Sequence, residues 1–175
     1  MQNIYGNIQG IKSSQIKQLQ RLYERQQPRD RFITLELAQT LATITSEIQH
    51  PICCYINRRG QIIRVAVGIP SQTQISPQEL PRHRAESLSK IHCVATQLKS
   101  EPPNEAALIA MLHQRLDALV ILSVADREVK NAFIAHLVPD LKTPWIILPS
   151  LSLVPLTEQN FDELVKEWER EIAQA

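Results

Sequence analysis

The sequence predicts an α/β protein with a single mixed β-sheet flanked by helices, and three observations lead to this prediction. Apolar residues make up 43% of the 175 residues and charged residues 21%, which is ordinary for a folded domain and excludes wholesale disorder. Several segments carry the apolar period of an amphipathic helix, and several short runs are β-rich. The two kinds of segment do not alternate strictly, which favours a mixed sheet over a doubly wound parallel one.

We expect one domain that spans residues 1–175, because a chain of this length buries enough surface to sustain a hydrophobic core. Within it, residues 1–33 are predicted to form an N-terminal helical arm, residues 34–150 an α/β core and residues 157–175 a C-terminal helix. No internal repeat or low-complexity tract divides the chain.

The N-terminal part is expected to form two helices. Ser13 and Ser14 can cap the first, and Pro28 ends it. Its apolar residues share one helical face: Ile16, Leu19, Leu22 and Tyr23. The second helix begins near Thr34 and is closed by Pro51. Its apolar positions recur at spacings of four, three and four, at Leu37, Leu41, Ile44 and Ile48.

A β-hairpin is predicted next, over residues 52–57 and 61–67, because two β-rich runs are joined across Arg58-Arg59-Gly60. Gly60 can adopt the positive φ that a tight turn often needs. Residues 69–90 contain three prolines and scattered polar groups, so we interpret them as a long loop with one short helical turn around Pro77–Leu80. A loop of this length is typical of a functional or mobile segment.

The second half of the chain is expected to supply four strands and two helices. Residues 92–98, 118–125, 132–138 and 145–148 are predicted to be strands. Asn104 can cap a helix with apolar residues on one side: Leu108, Met111, Leu112 and Leu116. The last helix starts at Thr157 and shows apolar residues at helical spacing: Phe161, Leu164, Val165, Trp168 and Ile172.

Charge is balanced overall but not along the chain. The formal net charge is +1, which favours neither a nucleic-acid nor a membrane partner. Residues 1–31 hold six basic and two acidic side chains, whereas residues 157–175 hold two basic and six acidic ones. This split can steer a polyanion to the N-terminal end, or it can let the two ends attract each other.

The start of the chain and its apolar runs carry no signal for export or membrane insertion. No basic segment followed by an apolar core opens the sequence, and the longest apolar runs, such as 118–125, fall short of the ~20 residues of a membrane helix. Cys53, Cys54 and Cys93 lack metal-ligand spacing and are interpreted as buried free thiols in a reducing compartment. We therefore expect a cytoplasmic protein with no membrane partner.

Residues that carry chemistry are sparse. The four glycines form no phosphate-binding loop, so the chain itself is not expected to be a GTPase. The five histidines include no pair spaced to chelate zinc, and no serine sits in a Gly-x-Ser-x-Gly elbow. The sequence therefore predicts no catalytic, cofactor-binding or metal-binding residue, and we expect a protein that is not an enzyme and uses no cofactor.

Motifs distributed along the chain carry a family resemblance. Residues 5–12 read Tyr-Gly-Asn-Ile-Gln-Gly-Ile-Lys, and Ser14–Lys17 and Leu19–Tyr23 follow. The other motifs lie at Asn57–Gly60, Pro81–Arg84, Leu98–Pro102, Gln114–Leu119 and Ala135–Leu137. Together they make nearly the whole chain resemble the N-terminal extension of the long-form HflX-type GTPases. The resemblance implies a regulatory module attached to a ribosome-associated GTP-binding protein, whose GTPase domain this chain does not contain.

Four positions depart from that family's pattern. The family commonly has His-x-His where Ala95 and Gln97 stand, and Ser and Asp where Asn104 and Ala107 stand. The family's version resembles the metal site of the JAB/MPN metalloprotease fold, in which two imidazoles and a carboxylate hold zinc, and the order of elements here also suits that fold. Because alanine cannot bind a metal and glutamine is a poor zinc ligand, we interpret the four positions as a degenerate metal site.

Two functions of different kinds follow. The first is a non-catalytic module that contacts the large ribosomal subunit or its rRNA through basic side chains, in a salt-dependent manner. The residues expected to face RNA are Lys12, Lys17, Arg21, Arg25, Arg58, Arg59, Arg82 and Arg84. These side chains can instead solubilise the surface and pair with the acidic C-terminal helix.

The second function is a small-molecule or nucleotide-binding domain derived from a metal-dependent hydrolase fold. Its pocket would lie between the 69–90 loop and the end of the strand at Val94–Leu98. A free-standing paralogue that binds only a protein partner also stays open, as does a homodimer formed through an exposed edge of the sheet.

Overall fold

A mixed sheet of seven strands dominates the computed structural model, which describes residues 2–29, 31–68, 91–101, 107, 109, 116–137, 145–148 and 158–174. The strands are β1 (Ile4–Gly6), β2 (Ile52–Ile56), β3 (Ile62–Val67), β4 (His92–Gln97), β5 (Ala118–Ala125), β6 (Glu128–Leu137) and β7 (Trp145–Leu148). Their order across the sheet is β1-β3-β2-β4-β5-β6-β7. The pairs β1–β3 and β4–β5 are parallel and the other four are antiparallel. The predicted α/β class with a single mixed sheet is therefore confirmed.

Helices α1 (Ser13–Arg21), α2 (Leu35–Ile48) and α3 (Glu158–Gln174) contribute to the main hydrophobic core with one face of the sheet. Inward residues of the strands, such as Cys54 and Val94, complete this core. Because side chains alternate along a strand, their neighbours Cys53 and Cys93 lie on the opposite face, in a smaller apolar cluster. No helix within the described ranges has both the length and the apolar character that crossing a bilayer requires.

Strand β1 was not predicted from the sequence. It is only three residues long, and contacts that are distant in sequence hold it in place. The Tyr23 hydroxyl donates to the carbonyl of Asn3 at 2.6 Å and accepts the N–H of Val65 at 2.9 Å. Gly6 ends the strand with φ +84°, and a Cβ at that position would overlap the carbonyl oxygen of Val67. Glycine is therefore required where the N-terminal segment reaches the sheet.

The first helix differs from the prediction at both ends. It ends at Arg21, well before Pro28, and a single 3-10 turn (Leu22–Glu24) follows it. The two serines expected to cap it do not do so, because Lys12 occupies the N-cap position. Instead, the Gln15 side chain reaches back and accepts the backbone N–H of Lys12 at 3.0 Å. This contact satisfies the N–H of the N-cap residue, as the third-position side chain does in a capping box.

Helix α2 agrees with the prediction. The Thr34 hydroxyl accepts the N–H of Leu37 at 3.3 Å and caps the first turn. The helix ends at Ile48, since Gln49 takes a left-handed conformation with φ 56°, two residues before Pro51. The four apolar residues of the predicted stripe are all buried in the main core.

The hairpin of β2 and β3 is also confirmed, and its turn is specified by two residues. The Asn57 side chain accepts the N–H groups of Arg59 and Gln61 at 2.9 and 3.0 Å. Gly60 has φ +80°, and a Cβ at that position would overlap the carbonyl oxygen of Gln27. The turn therefore needs glycine both for its conformation and for the close approach of a second segment.

A second hairpin, between β5 and β6, was missed. The predicted strand begins at Ala132, whereas β6 begins at Glu128. Asp126 and Arg127 form the turn with φ 53° and 64°, in the left-handed region that aspartate tolerates better than arginine. The N–H of Arg127 donates to the Ser46 hydroxyl at 3.0 Å, which ties this turn to α2.

Several predicted features lie outside the described residues. These are the 69–90 loop with its helical turn and most of the helix predicted from Asn104. Of the residues predicted for that helix, the structure describes Ala107 and Ile109, which are helical, and Leu116, which is buried but not helical. The C-terminal helix is described from Glu158, one residue after its predicted start, and it buries Phe161 in the main core.

Candidate nucleic-acid interface

The N-terminal turn and body of α1 present basic side chains to solvent. Lys12, Lys17 and Arg21 are exposed, and α1 contains no acidic residue. Lys17 and Arg21 are four residues apart and therefore lie on the same side of the helix. None of the three forms an ion pair with a carboxylate in the part of the chain that the structure describes. Their charge is directed to solvent.

The β2–β3 turn lies next to the segment that follows α1. The N–H of Gln27 donates to the carbonyl of Gly60 at 2.8 Å, and the Gln26 side chain donates to the carbonyl of Arg59. Arg58 and Arg59, in this turn, are exposed. The turn that carries Arg58 and Arg59 therefore lies beside the segment that follows α1, whereas the start of α1 contacts the C-terminal end of α2 through the Gln15 side chain and the carbonyl of Glu47.

Arg25 has a different environment from the other predicted RNA-facing residues. Its side chain is 33% exposed, and Nη1 lies 2.6 Å from Oε1 of Glu36 in the first turn of α2. The pair compensates the charge of Arg25 and joins the end of the 3-10 turn to α2. Arg82 and Arg84 lie outside the described residues, as does Asn104 of the degenerate metal site.

A groove of about 390 Å³ separates α1 from α2. Arg21 and Arg25 line one wall, and Gln39, Thr40 and Thr43 line the other. The two threonine hydroxyls donate to backbone carbonyls one turn earlier in α2, at 2.8 and 3.0 Å. Glu36 also lines this groove and pairs with Arg25, so Arg21 is the cation of the lining that has no carboxylate partner among the described residues.

The opposite charges of the two chain ends do meet at one point. Nη1 of Arg31 lies 2.8 Å from Oδ1 of Asp162 in α3, with the two side chains 39% and 27% exposed. This contact agrees with the expectation that the basic and acidic ends can pair. Within the described ranges it is the ion pair that links these two segments, and the cations of α1 have no carboxylate partner there.

Three of the four degenerate metal positions are described, and they lie on the side of the sheet opposite α1, α2 and α3. Ala95 and Ala107 pack in the same apolar cluster. Gln97, two residues further along β4, is 2% exposed, and its Nε2 donates to the carbonyl of Glu101 at 2.6 Å and to the Ser123 hydroxyl at 2.9 Å. The amide is therefore held by the protein itself. In the residues that the structure describes, no cluster of three or more His, Cys, Asp or Glu is arranged to hold a metal ion.

The three cysteines are free and buried, as predicted. Burial raises the pKa of Cys54 well above its usual value, and burial together with contact with Cys53 does the same for the pKa of Cys93. Because the thiolate is the form that attacks electrophiles and binds metals, these protonated thiols are suited to packing rather than to chemistry.

Two polar residues of interest were not identified from the sequence. Arg64 is 6% exposed on β3, and its guanidinium carbon lies 3.8 Å from the centre of the Tyr5 ring. Gln18 lines the groove between α1 and α2, and its Oε1 is buried with no hydrogen-bond partner in the described residues. Arg64 shows in the sequence as a charge within an apolar strand, whereas nothing in the sequence distinguishes Gln18 from its neighbours.

Comparison with known proteins identifies no relative of this chain: no family model, curated protein or solved structure matches it. The resemblance to the HflX-type extension and the similarity to the JAB/MPN fold therefore stay predictions.

Proposed function

We propose that this chain is a non-catalytic RNA-binding module that attaches a ribosome-associated HflX-type GTP-binding protein to the large ribosomal subunit. Nucleotide hydrolysis belongs, on this proposal, to a GTPase domain outside the chain. The observation that carries the proposal is a set of exposed basic side chains: Lys12, Lys17 and Arg21 at α1, with Arg58 and Arg59 on the β2–β3 turn. We call these five residues the basic surface.

The basic side chains of this region differ in whether they form ion pairs with carboxylates of the protein. Arg25 and Arg31 are paired with carboxylates at 2.6 and 2.8 Å, and they stabilise contacts between helices. The basic surface has no such pairing within the described part of the chain. Lysine and arginine side chains of this kind contact phosphates without reading sequence, and each contact releases counterions from the nucleic acid. Binding is therefore expected to weaken steeply as salt is raised.

The test is co-sedimentation of the 175-residue chain with 50S and 70S ribosomes at low and moderate salt. We expect salt-sensitive binding to both particles. The double variant Lys17→Glu with Arg21→Glu should abolish this binding, because reversal of the two charges changes the net charge on one side of α1 by four units.

The matched control is Lys166→Glu with Arg170→Glu. These residues are also exposed, also lie four apart on a helix, and are located on α3. The control changes net charge by the same amount and should leave binding intact. Equal loss of binding in both double variants would indicate a general charge effect, and no binding by the unmodified chain at low salt would refute the proposal.

A further inference from the structure

Arg64 is a charged side chain inside the sheet. Its neighbour Val65 packs in the main core, so the alternation of side chains along β3 directs Arg64 to the sheet face opposite α1, α2 and α3. The residue is 6% exposed, and it forms no ion pair with a carboxylate of the described residues. Because buried charges in folded proteins are normally paired, a guanidinium in this position favours an anionic partner.

The strands around Arg64 do not supply that partner, because they contain no carboxylate. No Asp or Glu occurs in residues 1–23 or in residues 48–78, which include β1, β2 and β3. Strand β4, on the far side of β2, has none either. The ion pairs within the described ranges all involve other cations. The charge of Arg64 is therefore not compensated by its own part of the sheet.

The ring of Tyr5 contacts the guanidinium without using its hydrogen-bond donors. The guanidinium carbon lies 3.8 Å from the ring centre, a cation–π contact between β3 and the adjacent β1. A separation this short is typical of a guanidinium that lies flat on the ring, and its N–H groups then point outward in the guanidinium plane, where the ring does not reach them. The Arg64 nitrogens are not among the described side-chain atoms that are both sealed from solvent and unpartnered, so the guanidinium keeps contact with solvent.

We propose that Arg64, held against Tyr5, is a binding site for a small oxyanion at the β1 edge of the sheet. The chemistry that fits is a carboxylate or phosphate group, two oxygens of which can accept parallel hydrogen bonds from one guanidinium. Tyr5 is partly exposed and β1 is the outermost strand, so the ligand reaches Arg64 from this edge. The site lies on the other face of the sheet from α1, and the inference does not rest on the proposed RNA-binding function.

The small exposed fraction of Arg64 limits the size of its ligand. A phosphate within a nucleic-acid strand carries a sugar on each side, and such a chain needs a cation that projects into solvent, as Lys17 and Arg21 do. A free anion needs room for two or three oxygens only. The burial that excludes a polymer also strengthens the contact, because charge-assisted hydrogen bonds gain strength where water is scarce.

The experiment is isothermal titration of the 175-residue chain with inorganic phosphate and, separately, with succinate, at constant ionic strength. We expect saturable binding at one site per chain, and the anion with the higher affinity identifies the group as phosphate or carboxylate. Arg64→Gln should weaken binding about 10- to 100-fold, the size of one charge-assisted hydrogen bond. Arg64→Lys keeps the charge without the planar fork and should weaken it less.

Arg58→Gln is the matched control, since it removes an exposed arginine from the turn that precedes β3 and should leave the affinity unchanged. Circular dichroism checks that each variant is folded, and Arg64→Lys replaces Arg64→Gln in the comparison if the latter does not fold. Absence of saturable binding of either anion by the unmodified chain overturns the inference. Equal affinity in the Arg64 variants and in Arg58→Gln also overturns it, and neither result bears on binding to the ribosome.

Discussion

Replacing Thr96 with valine removes a hydroxyl that ties helix α2 to the sheet. Thr96 lies on β4 and Thr45 on α2; both are 0% exposed, and their hydroxyls share a hydrogen bond of 2.7 Å. The Thr96 oxygen also accepts the backbone N–H of Ile52, the first residue of β2, at 2.9 Å. Valine has nearly the same shape as threonine, so the substitution leaves no cavity and tests hydrogen bonding alone.

The expected loss follows from the groups left without partners. A buried N–H without an acceptor costs about 1–3 kcal/mol, and the hydroxyl of Thr45 also loses its partner. We expect Thr96→Val to lower the free energy of unfolding by about 2–4 kcal/mol, a large part of the ~5–15 kcal/mol typical of a folded domain. Thr45→Val should cost less, because the Thr96 oxygen keeps the N–H of Ile52.

Equilibrium unfolding in urea measures these losses. The double variant with both valines should be less destabilised than the sum of the single variants by about 0.5–2 kcal/mol, since one stranded hydroxyl is removed. Thr40→Val is the control: its hydroxyl donates to the carbonyl of Glu36 on the outer part of α2, and its replacement should change stability by less than about 0.5 kcal/mol. A loss below about 0.5 kcal/mol for Thr96→Val, or strict additivity, would refute the reasoning.

Three further predictions concern the described residues. Burial lowers the pKa of His92, so the folded state resists a proton that the unfolded state takes up. The free energy of unfolding should therefore fall as pH drops below about 6.5. The melting temperature of His92→Gln should depend less on pH than that of the unmodified chain. Gly60→Ala should lower the melting temperature more than Gly10→Ala, because both glycines have positive φ but only Gly60 lacks room for a Cβ; equal losses would contradict this. The Arg31–Asp162 ion pair is partly exposed, so a double-mutant cycle should give a coupling energy of about 0.5 kcal/mol. This coupling should vanish in high salt, and a coupling that persists there would show that the pair is effectively buried.

The parts of the fold that could be predicted are those with a long and regular pattern. The buried stripe of α2 has four members at regular spacing, the run that became β2 is continuously apolar, and the run that became β5 is apolar except for Ser123. Such patterns arise because burial of one face decides the local structure. The Arg58-Arg59-Gly60 turn was identifiable for a related reason, since glycine is the residue that tolerates its backbone angle.

The parts that could not be predicted depend on contacts between distant segments. Strand β1 is three residues long and is fixed by Tyr23, about twenty positions away. The β5–β6 turn uses Asp126 and Arg127 in place of the glycine or asparagine that would have marked it. The start of β6 at Glu128 was missed because polar residues there follow the turn and precede the apolar run.

The candidate site also has features that could be predicted from the sequence and features that could not. The sequence shows that the first helix is basic, and the structure shows that Lys17 and Arg21 on it are exposed. Pairing partners could not be identified, because the compensation of Arg25 by Glu36 depends on how α1 packs against α2. The buried oxygen of Gln18 is a property of that same packing and has no signal in the sequence.

The salt dependence of binding to the 50S subunit tests the central claim most directly. The slope of the logarithm of the affinity against the logarithm of the salt concentration gives the number of phosphate contacts, because each contact contributes about 0.7–0.9 to the slope. The account predicts that Lys17→Gln with Arg21→Gln reduces the slope by about 1.5, whereas Lys166→Gln with Arg170→Gln leaves it unchanged. Equal slopes for the two double variants, or binding that does not depend on salt, would contradict it.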